Sequence, residues 1–167
     1  MMSKSHETIL QRYQHLPDRL EAAIAGLGET DLDLTKGDGW SIRAYVHHTV
    51  EGEWMWHLFL RAILGRDKIE IPIAWYFGLE QQEWGRRWAY GKRALGPTLA
   101  LFRGSTACLV ELLRNVPSEV WEHSGRVTWP VDDKETRLSV CDIVLMHLRH
   151  LDGHAEDIRT IRELHGV

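Results

Sequence analysis

The sequence predicts an all-α protein: a four-helix bundle with an up-down-down-up course and a long crossover between its second and third helices. Three observations lead there. Apolar residues recur every three to four positions in four separate stretches, the spacing that gathers them on one face of an α-helix. No stretch alternates apolar and polar residues as a half-buried strand does, except 126–131. The chain has 167 residues, 44% of them hydrophobic and 26% charged, which suits one globular domain spanning 1–167 with a sizeable core.

The first helix is expected over 5–27, where Ile9, Tyr13, Leu16, Leu20, Ile24 and Leu27 share a face and Pro17 kinks it or marks a boundary. The Gly- and Asp-rich stretch 28–39 reads as a loop, and Ser41 is the N-cap of a second helix running to about Leu64, with Gly65 at its end. From Gly65 to Gly96 the chain carries turn residues, three Trp and a basic cluster, a crossover with short helical pieces. Pro97 suits the first turn of a third helix that ends near Asn115, before Pro117. A fourth helix is expected from about Leu138 to Leu164. The crossover is long enough to traverse the bundle, whereas shorter loops join the first helix to the second and the third to the fourth, hence the up-down-down-up course.

The net charge is −4 and the pI about 6.2, so the whole chain carries no electrostatic footprint for nucleic acid or an anionic bilayer. No apolar stretch reaches the roughly 18–20 residues that span a bilayer. Met1–Tyr13 lacks the apolar core and cleavage site of a secretory signal, and a cytoplasmic location is expected. The unusual feature is ten His and eight Trp against two Cys. Cys108 and Cys141 are far apart, so a disulfide scaffold or Cys-ligated zinc module is not expected, and both read as small buried hydrophobes.

On a helical wheel the second helix turns Ile42, Tyr45, Thr49, Gly52, Trp56, Leu60 and Ile63 inward, with His48 flanking that face and His47 pointing away. The fourth helix gathers Val140, Ile143, His147, His150, Leu151, His154, Ile158 and Ile161. Three imidazoles thus interrupt an apolar stripe. His150 and His154 are i,i+4, so both rings reach one ion from one helix face. His48 sits about 10 Å along its helix, and His150 and His154 about 15–21 Å from the end of theirs, depths that match if the two helices are antiparallel. A buried imidazole left without a partner costs roughly 1–3 kcal/mol, so this set calls for a metal ion or a hydrogen-bonded polar core.

The segment Gly39-Trp40-Ser41-Ile42-Arg43 with His48 and Glu53, and the stretch His150-x-Asp152-x-His154, resemble the DinB-like (DinB/YfiT) superfamily across most of the chain. The resemblance implies a four-helix bundle, often a homodimer, holding a divalent metal, commonly zinc or nickel, through His48, His150 and His154. It also implies thiol-dependent transferase or isomerase chemistry with a low-molecular-weight thiol for some members. One departure is Asp157, where such proteins often carry Gln; here it either orients a ligand ring, pairs with an arginine or is a solvated charge.

Glu53 falls close to the inward face, where a carboxylate must bond a His or Trp N–H or an Arg; it is a candidate catalytic base or support for a ligand ring, with structural pairing the alternative. His147 reads as a core or supporting histidine rather than a fourth ligand. Arg86 and Arg87, in the basic and aromatic run 84–93, are candidates for an anionic substrate or thiol, against the plainer reading of a solvated face over packed Trp. Three imidazoles leave coordination positions open to water or a small-molecule substrate, the arrangement of a catalytic site. A metal-dependent enzyme of thiol-transfer type leads, metal-assisted hydrolysis follows, and the competing class is a non-catalytic bundle whose histidines only stabilise it or serve partner contacts.

Overall fold

The structure, a computed structural model, describes residues 4–130, 132 and 134–167. The expected first helix is two, α1 (Lys4–Tyr13) and α2 (Leu16–Ala23), broken just before Pro17, which occupies the first turn of α2. Of the N-terminal segment read for a signal, Met1, Met2 and Ser3 lie outside the described residues. The long helices are α3 (Ile42–Gly65), α6 (Leu95–Asn115) and α7 (Val140–His165). The crossover carries β1 (Ile69–Ile71), α4 (Ala74–Phe77) and α5 (Gln81–Arg87). Among the described residues no helix is long and apolar enough to cross a membrane.

Cross-helix pairs fix the helix directions. Along α3 and α7, His48 meets His150 while Glu53 meets His147, so these two are antiparallel. Along α3 and α6, His47 meets Thr98 and Arg61 meets Cys108, so these are parallel. Tyr13 meets His147 and the Ala23 carbonyl meets Arg162, so α1 and α2 follow α7. The core where they converge holds Tyr13, Leu20, Val46, Leu60, Phe102, Leu109, Val144 and Leu151, all inaccessible or nearly so.

A small sheet closes the end of the bundle where α3 stops and α7 starts. Its order is β1-β2-β3, with β2 (Ser124–Trp129) parallel to β1 and antiparallel to β3 (Lys134–Ser139). The strand expected over 126–131 is therefore shifted and has two neighbours; Val131 lies outside the described residues. Leu138, expected to open the last helix, belongs to β3, and α7 begins after Ser139, whose side chain accepts from Asp142 N while Asp142 accepts from Ser139 N. Cys108 is exposed and Cys141 half-buried, correcting the reading of both as core residues; Cys108 faces Arg61 at the α3–α6 rim.

Candidate metal centre

The tripeptide Trp40-Ser41-Ile42 and the arginine after it build the entry to α3. Ser41 caps the helix by accepting from Ala44 N at 3.2 Å. The buried Arg43 guanidinium donates to Asp33 Oδ1 at 2.8 Å and to Glu29 Oε2 at 2.9 Å, tying the preceding loop onto the helix. Trp40 then lies with its ring centroid 4.3 Å from that of His48 and 6.2 Å from that of His154. These contacts fix the depth and rotation of His48, two turns into α3.

His48, His150 and His154 come together in the seam between α3 and α7. His150 Nε2 lies 3.2 Å from His48 Nε2 and 3.0 Å from His154 Nε2. Their donor atoms all fall within 4.8 Å of one another. A tetrahedral ion with metal–nitrogen bonds of about 2.0–2.1 Å separates its ligand nitrogens by about 3.3 Å, so the spacing fits one shared ion.

The electrostatics agree. Burial, reinforced by the neighbouring imidazoles, pushes His48 down to about 2 and His150 to about 4, and burial lowers His154 against the pull of Asp157. The rings are therefore neutral at pH 7, with lone pairs available. Neutral imidazoles facing one another through Nε2 leave lone pairs that a single proton cannot satisfy, and a cation can. The outer nitrogens have partners of their own: His154 Nδ1 lies 3.2 Å from Asp157 Oδ2, and His48 Nδ1 lies 3.4 Å from the Tyr76 hydroxyl. The Asp157 carboxylate selects the Nδ1–H tautomer of His154 and turns its Nε2 inward.

One turn deeper sits a second polar group. Glu53, His57 and His147 are buried, and Tyr13 stands among them. The Tyr13 hydroxyl donates to Glu53 Oε2 at 2.7 Å and meets His57 Nε2 at 2.8 Å; His147 Nδ1 lies 3.0 Å from the same Glu53 oxygen. Burial pushes the Glu53 carboxyl up, but His147 and the hydrogen bonds from His147, His57 and Tyr13 outweigh it and hold it down to about 2. Glu53 thus supports His147 and stands behind the three-histidine cluster.

The cluster lies in a cavity of about 340 Å³ walled by Met55, Trp56, Tyr76, Phe77, Trp129 and Met146, with His147 also on its lining. Tyr76 and Phe77 come from α4, and Trp129 from β2, so the crossover and the sheet cover the α3–α7 seam. Arg86 and Arg87 do not line it. Both are exposed, and both donate to Glu83, at 2.6 and 2.7 Å, while Trp84 and Trp88 pack beneath them against Tyr76.

His47, read as pointing away, is buried: its ring meets Thr98 Oγ1 at 2.9 Å and the Arg93 carbonyl at 3.3 Å. The wheel assumed one buried face, whereas α3 is flanked by α7 on one side and by α6 and the crossover on the other. His57 was missed because α1 covers a further side of α3, where the His57 ring meets the Tyr13 hydroxyl. Tyr13 was read only as an apolar contact, and Tyr76 lies in a segment with no periodicity to mark it.

A sequence model of the DinB superfamily matches residues 9–158. The chain belongs to the DinB superfamily. Among curated proteins, this DinB-superfamily chain is 25% identical over 154 residues to one named "Putative metal-dependent hydrolase" from Geobacillus thermodenitrificans (strain NG80-2), covering 92% of this chain and 82% of the relative. Among solved structures, its fold matches that of YfiT from Bacillus subtilis, described as "a probable metal-dependent hydrolase with an unusual four-helix bundle topology". The TM-score is 0.83 at 17% identity, over 99% of this chain and 91% of that one.

Proposed function

We propose that this DinB-superfamily protein is a metal-dependent hydrolase of a small molecule, with His48, His150 and His154 as the ligands of one divalent ion such as zinc or nickel. The convergence of three neutral imidazole nitrogens at 3.0 and 3.2 Å on the floor of a largely apolar cavity carries the reading. The names given to the Geobacillus and Bacillus proteins favour the same chemistry. A divalent ion in that position supplies a Lewis acid that polarises a scissile carbonyl and lowers the pKa of water.

The remaining roles belong to the chain's own residues. Asp157 accepts the Nδ1 proton of His154, which holds that ring with Nε2 inward, and the Tyr76 hydroxyl meets His48 Nδ1. Glu53 and Tyr13 hold the His147 ring against the cavity wall. The apolar walls exclude bulk water and strengthen every charge interaction inside. Thiol transfer is less favoured, because the arginines expected to meet a thiol's carboxylates are committed to Glu83 outside the cavity.

Metal analysis after equilibration with zinc tests the ligand set. One zinc per chain is expected in the parent and almost none in His48→Ala, His150→Ala or His154→Ala; full occupancy in all three removes the site. Zinc-stimulated cleavage in a panel of neutral esters and amides, lost in the same variants, tests the reaction.

A further inference from the structure

We infer that the groove beside the three-histidine cavity binds the apolar tail of the substrate, an uncharged acyl or aryl group. This rests on the hydrolytic reading for the position of the reacting end. The groove measures about 640 Å³ and is walled by Trp54 and Leu58 of α3, Trp75 of α4, Trp88 at the end of α5, and Leu101 of α6. Four of these are large apolar side chains left substantially in water: Trp54 50%, Leu58 57%, Trp75 53% and Leu101 41% exposed. Scattered exposed apolar residues are ordinary, but four from three elements around one concavity form a binding surface.

Adjacency to the cavity points to the occupant. Met55 and Tyr76 line both spaces. Tyr76 presents its hydroxyl 3.4 Å from His48 Nδ1, while its ring packs edge-on against Trp75 with centroids 5.6 Å apart. A molecule whose reacting group sits at the histidines therefore finds the groove as the next space along. The charges in the groove are spent on each other: the Arg93 guanidinium donates to Glu51, which also accepts from the Tyr90 hydroxyl at 3.0 Å. A charged tail gains no partner there, whereas an acyl chain or aromatic ring gains the burial of its own surface and of the indoles.

The test compares two chelators that share a head and differ in tail. Zinc-loaded protein is titrated by calorimetry with acetohydroxamate and with octanohydroxamate. The longer compound is expected to bind roughly tenfold tighter or better. The double substitution Leu58→Asp with Leu101→Asp, both at exposed positions, is expected to bring the ratio of the two affinities close to one. Equal affinities in the parent, or a ratio that survives the double substitution, overturn the inference.

A metal-free arm separates it from the hydrolytic reading. Quenching of tryptophan fluorescence by 2-naphthol is expected to saturate in metal-free parent and not in the double variant; no saturable binding in the parent overturns the groove whatever zinc does. Saturable 2-naphthol binding without zinc or hydroxamate binding leaves the groove standing and removes the metal reading. Light scattering covers the other occupant: a dimer dissociated by the double substitution, with the affinity ratio kept, gives the face to a second copy of the chain and overturns the inference.

Discussion

Glu53 of α3 and His147 of α7 meet across the bundle with Glu53 Oε2 3.0 Å from His147 Nδ1, both groups shielded from water. The same oxygen accepts from the Tyr13 hydroxyl at 2.7 Å, so one carboxylate joins α1, α3 and α7. Removing the carboxylate leaves the buried groups that bond it unsatisfied, which destabilises by about 1–3 kcal/mol. Glu53→Ala is expected to lower unfolding free energy by that amount in urea titrations, and Glu53→Gln by less, since the amide oxygen still accepts. A Glu53→Ala protein as stable as the parent would show that the network contributes nothing.

The same carboxylate makes an acid limb. Its folded-state pKa is held near 2, below its ordinary value of about 4.3, so its contribution is complete above that ordinary value and is lost as pH falls toward 2. Chemical denaturation between pH 5 and 2 should show a slope that Glu53→Gln flattens.

Asp157 is half-exposed and touches the cavity only through His154, whose Nδ1 it meets at 3.2 Å. A partner that fixes the tautomer and orientation of a ligand ring contributes about 10–100-fold in metal affinity, and exposure places this one at the lower end. Asp157→Ala is expected to weaken zinc binding about tenfold in competition with a chromophoric chelator, while stability of the metal-free protein stays within about 0.5 kcal/mol. Unchanged zinc affinity would separate Asp157 from the site.

The bundle and the three histidines were legible because each rests on a local period. His150 and His154 share a face by i,i+4 spacing, and His48 reaches the same depth once α3 and α7 are antiparallel. What escaped depends on contacts between distant segments. Nothing near Tyr13 in sequence announces a carboxylate forty positions away. His47 is buried because α6 and the crossover close over the side of α3 that a single-face wheel leaves in water. β3, Lys-Glu-Thr-Arg-Leu-Ser, has no apolar alternation and exists through its ladder with β2. The pairing of Arg86 and Arg87 with Glu83 is, by contrast, written in i,i+3 and i,i+4 spacing, and it accords with the plainer reading of that run as a solvated face over packed Trp.

The histidine cluster shapes the pH response of the metal-free protein. His48 is held down to about 2 and His150 to about 4, while in the unfolded chain each takes up a proton near pH 6.5. Below pH 6.5 the unfolded state therefore binds more protons, and stability falls as pH falls, by about 1.4 kcal/mol per pH unit for each such histidine. His48→Leu is expected to reduce the slope between pH 6.5 and 5 by about that amount in urea titrations of metal-free protein. An unaltered slope would mean that His48 takes up its proton in the folded state.

Gly52 faces His150 across the α3–α7 seam: a Cβ built there would lie 3.4 Å from His150 Cε1. That is ordinary contact, so Gly52→Ala fits without moving the ring and removes the backbone freedom of an interior helix glycine, worth about 0.4–1 kcal/mol. Its melting temperature should rise and zinc stoichiometry should stay at one per chain. Gly52→Leu carries its branch into the space that His150 and the cavity share, and overpacking of this kind moves neighbours at about 1–3 kcal/mol. The expected outcome is a helical protein with weakened zinc binding, read from circular dichroism and metal analysis together. Full zinc affinity in Gly52→Leu would show that His150 has another path to the ion, and that the close approach at Gly52 has no part in the site.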